Sequence, residues 1–150
     1  MKELDNPAAT MTVMNVMGAY TRGMDKHDLD GVLELFTDDC VIDYGDFGYH
    51  EGKGELEEFL VDHMEAESGT LDAVHLAMNP NVHVDGDEAT GQWHYLGMNV
   101  IEGIGATWLV GFYDVDFVRQ DGDWLIDELA YDAKYASPYD DGWAETPNAF

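Results

Sequence analysis

After Gly69 the hydrophobic pattern changes from the helical period to the two-residue alternation of strands, and no feature of the chain narrows the possible folds more. Before the switch, Val13, Val16, Met17, Tyr20 and Met24 fall on one helical stripe, opposite Asn15 and Arg22. Asp28 stands where it would cap a second, short helix with the stripe Leu29, Val32, Leu33 and Phe36. Cys40 to Tyr44 reads as a strand ended by Gly45-Asp46, and Gly52 to Gly54 as a turn. A third helix then carries Leu56, Phe59, Leu60 and His63 on one face.

Beyond the switch, residues 71–84 are strand-like, and Asp85-Gly86-Asp87 is a turn. From Ala89 to Ile101 the chain alternates Ala89, Gly91, Trp93, Tyr95, Gly97 and Asn99 with a second set of residues. Trp108 to Arg119 is a further strand with Leu109, Gly111, Tyr113, Val115 and Phe117 on one face. Asp121-Gly122-Asp123 leads into a last strand from Trp124 to about Lys134, and Glu102-Gly103-Ile104-Gly105 is a glycine-rich turn between strands. Helices first and long antiparallel strands after predict an α+β fold, in which N-terminal helices cover one face of a curved sheet. A length of 150 residues predicts one domain, 1–150, with its core at about 10–135 and an irregular tail over 136–150. A curved sheet under helices leaves a concave interior, where small-molecule sites are expected.

Charge excludes several function classes. Thirty-two acidic residues stand against six Lys and Arg, for a formal net charge of −26. They divide evenly, ten in residues 1–50 and eleven in each of the next two fifties, so they form no acidic tail. Such a surface suits high salt, where screening removes self-repulsion, and a halophilic source is expected. Nucleic acid is not an expected partner, because phosphates need a basic footprint. Cys40 is the single cysteine, so neither an internal disulfide nor a cysteine metal cluster is expected. Lys2, Glu3 and Asp5 do not read as a secretory leader, no run has membrane-spanning length, and a cytoplasmic location is the expectation.

Tyr20 and Asp25 come from the end of the first helix and His75 from the first long strand, between the small residues Ala73 and Ala77. A carboxylate on one imidazole nitrogen fixes the tautomer and leaves the other nitrogen to act as a base. Spacing alone leaves two readings open, a catalytic pair and a packed core histidine. His27, His50, His63 and His83 fall in loops, turns and a helix end, and none pairs at zinc-ligand spacing. His94 lies on the strand face opposite Trp93 and Tyr95, toward an interface or solvent. Asp114 and Asp116 share a face with Trp108, Val110 and Phe112, where a solvated surface is favoured over a calcium or magnesium site. No phosphate loop, nucleophile elbow or dinucleotide fingerprint is present, so no cofactor is expected.

Several stretches resemble the SnoaL-like family of the nuclear transport factor 2-like superfamily. They are Ala19 to Asp30, Leu35 to Tyr44, Val74 to Asn79, Asp85 to Gly91 and Tyr113 to Trp124, which together span about residues 10–135. The resemblance implies a cone-shaped, curved, antiparallel or mixed sheet wrapped around helices, the cystatin-like arrangement. It is similar within that family to scytalone dehydratases, the lindane dehydrochlorinase and the bile acid 7α-dehydratase, which are cofactor-free lyases that assemble as trimers. The resemblance implies that His75 is the base and Asp25 its partner. It matches Tyr20 and Tyr44 to pocket tyrosines, and it sets Asn99 and Tyr113 at pocket-lining places. The lindane enzyme has a lysine where Tyr20 stands, and scytalone dehydratase has a histidine and an asparagine where Asn99 and Tyr113 stand. Neither of those substrates is therefore implied.

The expectation is a cofactor-independent lyase of the dehydratase type acting on a hydrophobic, cyclic or polyketide-like molecule. His75, Asp25, Tyr20 and Tyr44 would be its catalytic residues, and Trp93, Tyr95, Asn99, Leu109 and Tyr113 would shape the pocket. An isomerase or cyclase at the same pocket is the alternative enzyme, and a small-molecule-binding module the alternative without catalysis. A homo-oligomer is expected, a trimer before a dimer, through the outer sheet face of Trp108, Val110 and Phe112.

Overall fold

Helix α1 (Pro7–Lys26) starts where the Asn6 side chain accepts the Ala9 N–H at 3.1 Å, with Pro7 supplying a first-turn residue that needs no donor. Val13, Met17, Tyr20 and Met24 bury its inner face. The helix ends at His27, whose left-handed conformation (φ 54°) lets its N–H and that of Asp28 return to Met24 and Gly23. Asp28 then caps helix α2 (Leu29–Leu33), accepting the Gly31 N–H at 3.2 Å. The computed structural model describes residues 6–64, 70–101 and 103–149, so Gly69 and Glu102 of the expected turns lie outside the described residues.

The strands are β1 (Phe36–Asp43), β2 (Tyr49–Glu51), β3 (Thr70–Asp85), β4 (Glu88–Ile101), β5 (Gly105–Gln120) and β6 (Asp123–Pro138). They form one sheet in the order β2-β1-β6-β5-β4-β3, antiparallel except where β1 lies parallel to β6. Helices α1 and α3 (Gly52–Met64) pack on its concave face, so the fold is the expected α+β arrangement with a curved mixed sheet. In β4 the inward set from Ala89 to Asn99 is buried, and the intervening residues are exposed or half-buried.

The long strands bend at irregular positions. One is Asn79, at φ 53°, where the β3–β4 register shifts; another is Gly111, where the β5–β6 register shifts. A Cβ on Gly111 would collide with the Asp132 carbonyl and crowd the Tyr131 ring at 2.7 Å. Gly111→Ala is therefore expected to cost about 1–3 kcal/mol in urea unfolding. A midpoint equal to wild type would show that the bend has room for a methyl group.

Three expectations are corrected, and one strand was not foreseen. Phe36 opens β1 instead of extending the α2 stripe: its Cα partner is Ile126, and it is fully buried. Gly52 to Gly54 form the first turn of α3, because the Glu55 carboxylate reaches back to the Glu51 N–H at 2.9 Å. β2 was not expected at all. The tail is partly ordered: β6 runs on to Pro138, helix α4 (Gly142–Glu145) follows, and the chain returns to exchange bonds with Ala136 at 2.9 and 2.7 Å.

Candidate active site

Asp25 lies near the C-terminal end of α1, a poor place for a carboxylate in the helix dipole. Two N–H partners from β3 offset that cost. Its Oδ1 accepts the backbone N–H of His75 at 2.8 Å and meets the ring Nδ1 of the same residue at 2.7 Å. Backbone and ring are thus held by one oxygen, which sets both the approach of β3 to α1 and the imidazole orientation. With Nδ1 engaged, Nε2 is the nitrogen left for other chemistry.

His75 lies on the wall of a cavity of about 420 Å³. Tyr20 and Tyr44 reach it from α1 and from the end of β1, with their hydroxyls 2.8 Å apart. Tyr95, Asn99, Leu109 and Tyr113 line it from the sheet. Trp93 does not: it shares their face of the sheet but packs on Phe117 in the core, its ring over Gly91. Pocket shaping by Trp93 is therefore corrected.

Among the lining residues not foreseen as site residues are His63, Phe59 and Tyr131. Phe59 stacks on Tyr44 at 5.1 Å and on His63 at 5.7 Å, which carries the histidine ring to the cavity. The α3 stripe did place His63 and Phe59 on the buried face, and that was the available signal. Burial, and then the proximity of His75 and His27, hold His63 below the ordinary histidine range.

The sheet side of the cavity is a continuous phenol surface. Tyr113 touches Tyr20, Tyr95 and Tyr131 edge-on or tilted, with ring centroids 5.1–6.2 Å apart. Burial pushes Tyr20, Tyr44, Tyr95 and Tyr113 well above the ordinary phenol range, and burial with Asp132 pushes Tyr131 up to about 12. All five stay neutral across physiological pH, as hydrogen-bond donors that carry no charge. Among the described residues no lysine or arginine lines this cavity. Such a site can take up a proton at an imidazole and stabilise developing negative charge with phenol hydroxyls. Among the described residues no group of three or more His, Cys, Asp and Glu is arranged to hold a metal ion, and no helix is long and apolar enough to cross a membrane.

The SnoaL-like domain profile matches residues 8–130. No curated protein sequence matches the chain. Among solved structures, a hexachlorocyclohexane dehydrochlorinase of type 2 superposes with TM-score 0.82 at 16% identity, covering 89% of this chain and 90% of its own. A proposed scytalone dehydratase from Novosphingobium aromaticivorans gives 0.79 at 18% identity, covering 89% of each chain. A proposed aromatic ring hydroxylase from the same species gives 0.71 at 24%, covering 83% of this chain and 87% of its own. These likenesses establish the shared fold, and their differing names show that it hosts more than one chemistry.

Proposed function

The chain belongs to the SnoaL-like domain family, and from that premise and the cavity's geometry we propose that it is a cofactor-independent lyase of the dehydratase type. The observation that carries this reading is the 2.7 Å contact between His75 Nδ1 and Asp25 Oδ1 at the wall of an apolar, phenol-lined cavity. Nε2 of His75 removes a proton next to a substrate carbonyl, and Asp25 stabilises the resulting imidazolium. Tyr20 and Tyr44 supply the electrophilic half: bonded to each other, the pair keeps one hydroxyl hydrogen to donate to a carbonyl or a departing hydroxyl. The substrate is a hydrophobic cyclic or polyketide-like molecule.

A panel of cyclic β-hydroxyketones tests this. Water loss gives a conjugated ketone, seen as growing ultraviolet absorbance. Turnover by wild type, lowered by about 10²-fold or more in His75→Ala, is the expected result. If His75→Ala turns the ketones over as wild type does, His75 is not the base. Apolar ligands that bind wild type and His75→Ala equally, with no turnover, would instead favour a binding module.

Assembly is part of the same proposal. Val74, Leu76, Met78, Met98, Val100 and Tyr139 are each more than a third exposed, and Val74, Leu76, Met98 and Val100 lie on the outer face of β3 and β4. Trp108, Val110 and Phe112 lie half-buried on the outer face of β5. An apolar surface of this extent on so charged a chain calls for cover by further copies, in a trimer before a dimer. Light scattering in molar salt should give a multiple of the 16.8 kDa chain mass, and a clean monomer would remove the proposal. The acidic surface further suggests a halophilic setting, and a cytoplasmic location belongs to the same proposal.

A further inference from the structure

A second electrophilic group stands beside His75, apart from the Tyr20–Tyr44 pair. His75 and Gly97 are direct partners across the β3–β4 ladder, so their side-chain positions stand roughly 4.5–5.5 Å apart. Gly97 has no side chain, and the space is filled from within its own strand. A Cβ there would collide with the Tyr95 hydroxyl oxygen and stand 2.9 Å from Asn99 Nδ2. The Tyr95 hydroxyl and the Asn99 amide therefore meet beside His75, and the Tyr95 and His75 ring centroids are 5.7 Å apart. Asn99 is 7% exposed, and its Nδ2 is buried with no acceptor in hydrogen-bonding geometry.

We propose that Tyr95 is a further catalytic residue, whose hydroxyl binds the substrate oxygen beside the carbon that His75 deprotonates, and that Asn99 is its positioning residue. The assignment rests on the reading of His75 as the base. When the C–H bond breaks, the proton passes to Nε2 and the electron pair moves into the C=C–O⁻ of an enolate. Its oxygen, two bonds from the reacting carbon, is where charge appears. A donor there must be fixed in advance. Tyr95 is: its ring is held edge-on by Tyr113 and Tyr131, each at 5.1 Å, and its hydroxyl has the Gly97 gap to occupy. In the reacting complex Asn99 Nδ2, which stands beside the phenol oxygen, turns an N–H onto it and polarises the O–H that faces the enolate. The Tyr20–Tyr44 hydroxyls, already joined to each other at 2.8 Å, are then the site for the leaving hydroxyl, which departs with its bonding electrons and is protonated to water.

The probe is 2-naphthol, whose oxygen and adjoining ring carbon imitate an enol and whose naphtholate form has its own absorbance. Titrated into wild type in molar salt, it should bind with a larger ionised fraction than in buffer at the same pH. Tyr95→Phe, which keeps the ring contacts, should weaken binding about tenfold or more, as expected for a lost hydrogen bond to a charged oxygen. Asn99→Leu should keep naphthol bound but lower its ionised fraction, a spectroscopic change that lost packing alone would not produce. Tyr20→Phe should change the affinity by less than about threefold. Equal affinity of wild type and Tyr95→Phe, a soaked crystal with the naphthol oxygen on Tyr20 and Tyr44, or no binding at all would overturn the assignment. None of these results requires turnover. Naphthol sensitivity without dehydration of any hydroxyketone would sink the lyase reading and leave the donor site standing, and dehydration with naphthol indifferent to Tyr95→Phe would do the reverse.

Discussion

Asp25→Asn is expected to lower kcat/KM on a dehydrated hydroxyketone by about 10²- to 10⁴-fold, the range for losing a positioned acid–base group, with KM little changed. Asparagine keeps an oxygen able to accept the His75 backbone N–H, so the approach of β3 to α1 survives. What it loses is the negative charge beside Nδ1, which stabilises the imidazolium only after the proton has been taken up. An interaction made in the transition state and not in the ground state acts on kcat. His75→Ala should fall within the same range, because each change alone removes the working unit. Asp25→Ala is less informative: it also leaves a β3 N–H without its partner, and melting temperature would fall with activity. Asp25→Asn with kcat/KM within about twofold of wild type would reduce Asp25 to a fastener of β3.

Most of what depends on neighbours in sequence was legible there, although the helical turn at Gly52 to Gly54, set by Glu55, was not. The α1 stripe from Val13 to Met24, the Asp28 cap and the alternation from Ala89 to Asn99 are all present as read. Each rests on a period or a cap, which the local chain determines. Depth along a strand is different. Trp93 and Tyr95 lie on the same face, yet Trp93 meets Phe117 in the core while Tyr95 meets the cavity. Period-two alternation assigns a face, and only the placement of α1 and α3 over the sheet decides which part of that face stays uncovered.

Tertiary context also explains His63. Its helical face was readable, but its arrival beside the cavity follows from the Phe59 stack on Tyr44, which joins residues distant in sequence. Phe36 was misassigned because five residues of helix and the start of a strand both accept an aromatic residue there, and pairing with Ile126 decides between them. The gap at Gly97 was visible only as one more small residue in an alternating run. Its consequence depends on the Tyr95 ring lying along the strand, which no pattern of residue types records.

The largest expected effect on stability comes from salt. The formal charge of −26 leaves few acids with a cation of their own; among the described residues, Lys53 meets Asp38 at 3.2 Å and Arg119 meets Asp87 at 3.9 Å, both near the surface. Exposed pairs of this kind contribute roughly 0–1 kcal/mol each, too little to counter repulsion spread over the whole surface. Screening can counter it: the Debye length falls from about 10 Å in 0.1 M salt to about 3 Å in 1 M. Relieving a few kcal/mol of repulsion, at roughly 2–4 °C per kcal/mol for a chain of this size, should raise Tm by on the order of 10 °C. Sodium and potassium chloride should act alike, because screening does not distinguish them. Acid should act in the same direction at low salt. Asp116 shows why: partial burial, then Asp127 and Asp114, raise its carboxyl above the ordinary aspartate range. A carboxyl raised in the folded state holds its proton there more readily than in the unfolded chain. Its penalty is therefore absent below the unfolded value and sets in as pH rises through the folded one. Lowering the pH toward 5 in 0.1 M salt should thus recover a small part of what 1 M salt gives. A Tm that stays flat from 0.1 to 2 M would mean that the charges are spaced widely enough not to oppose folding, and the acidity would then be a matter of solubility alone.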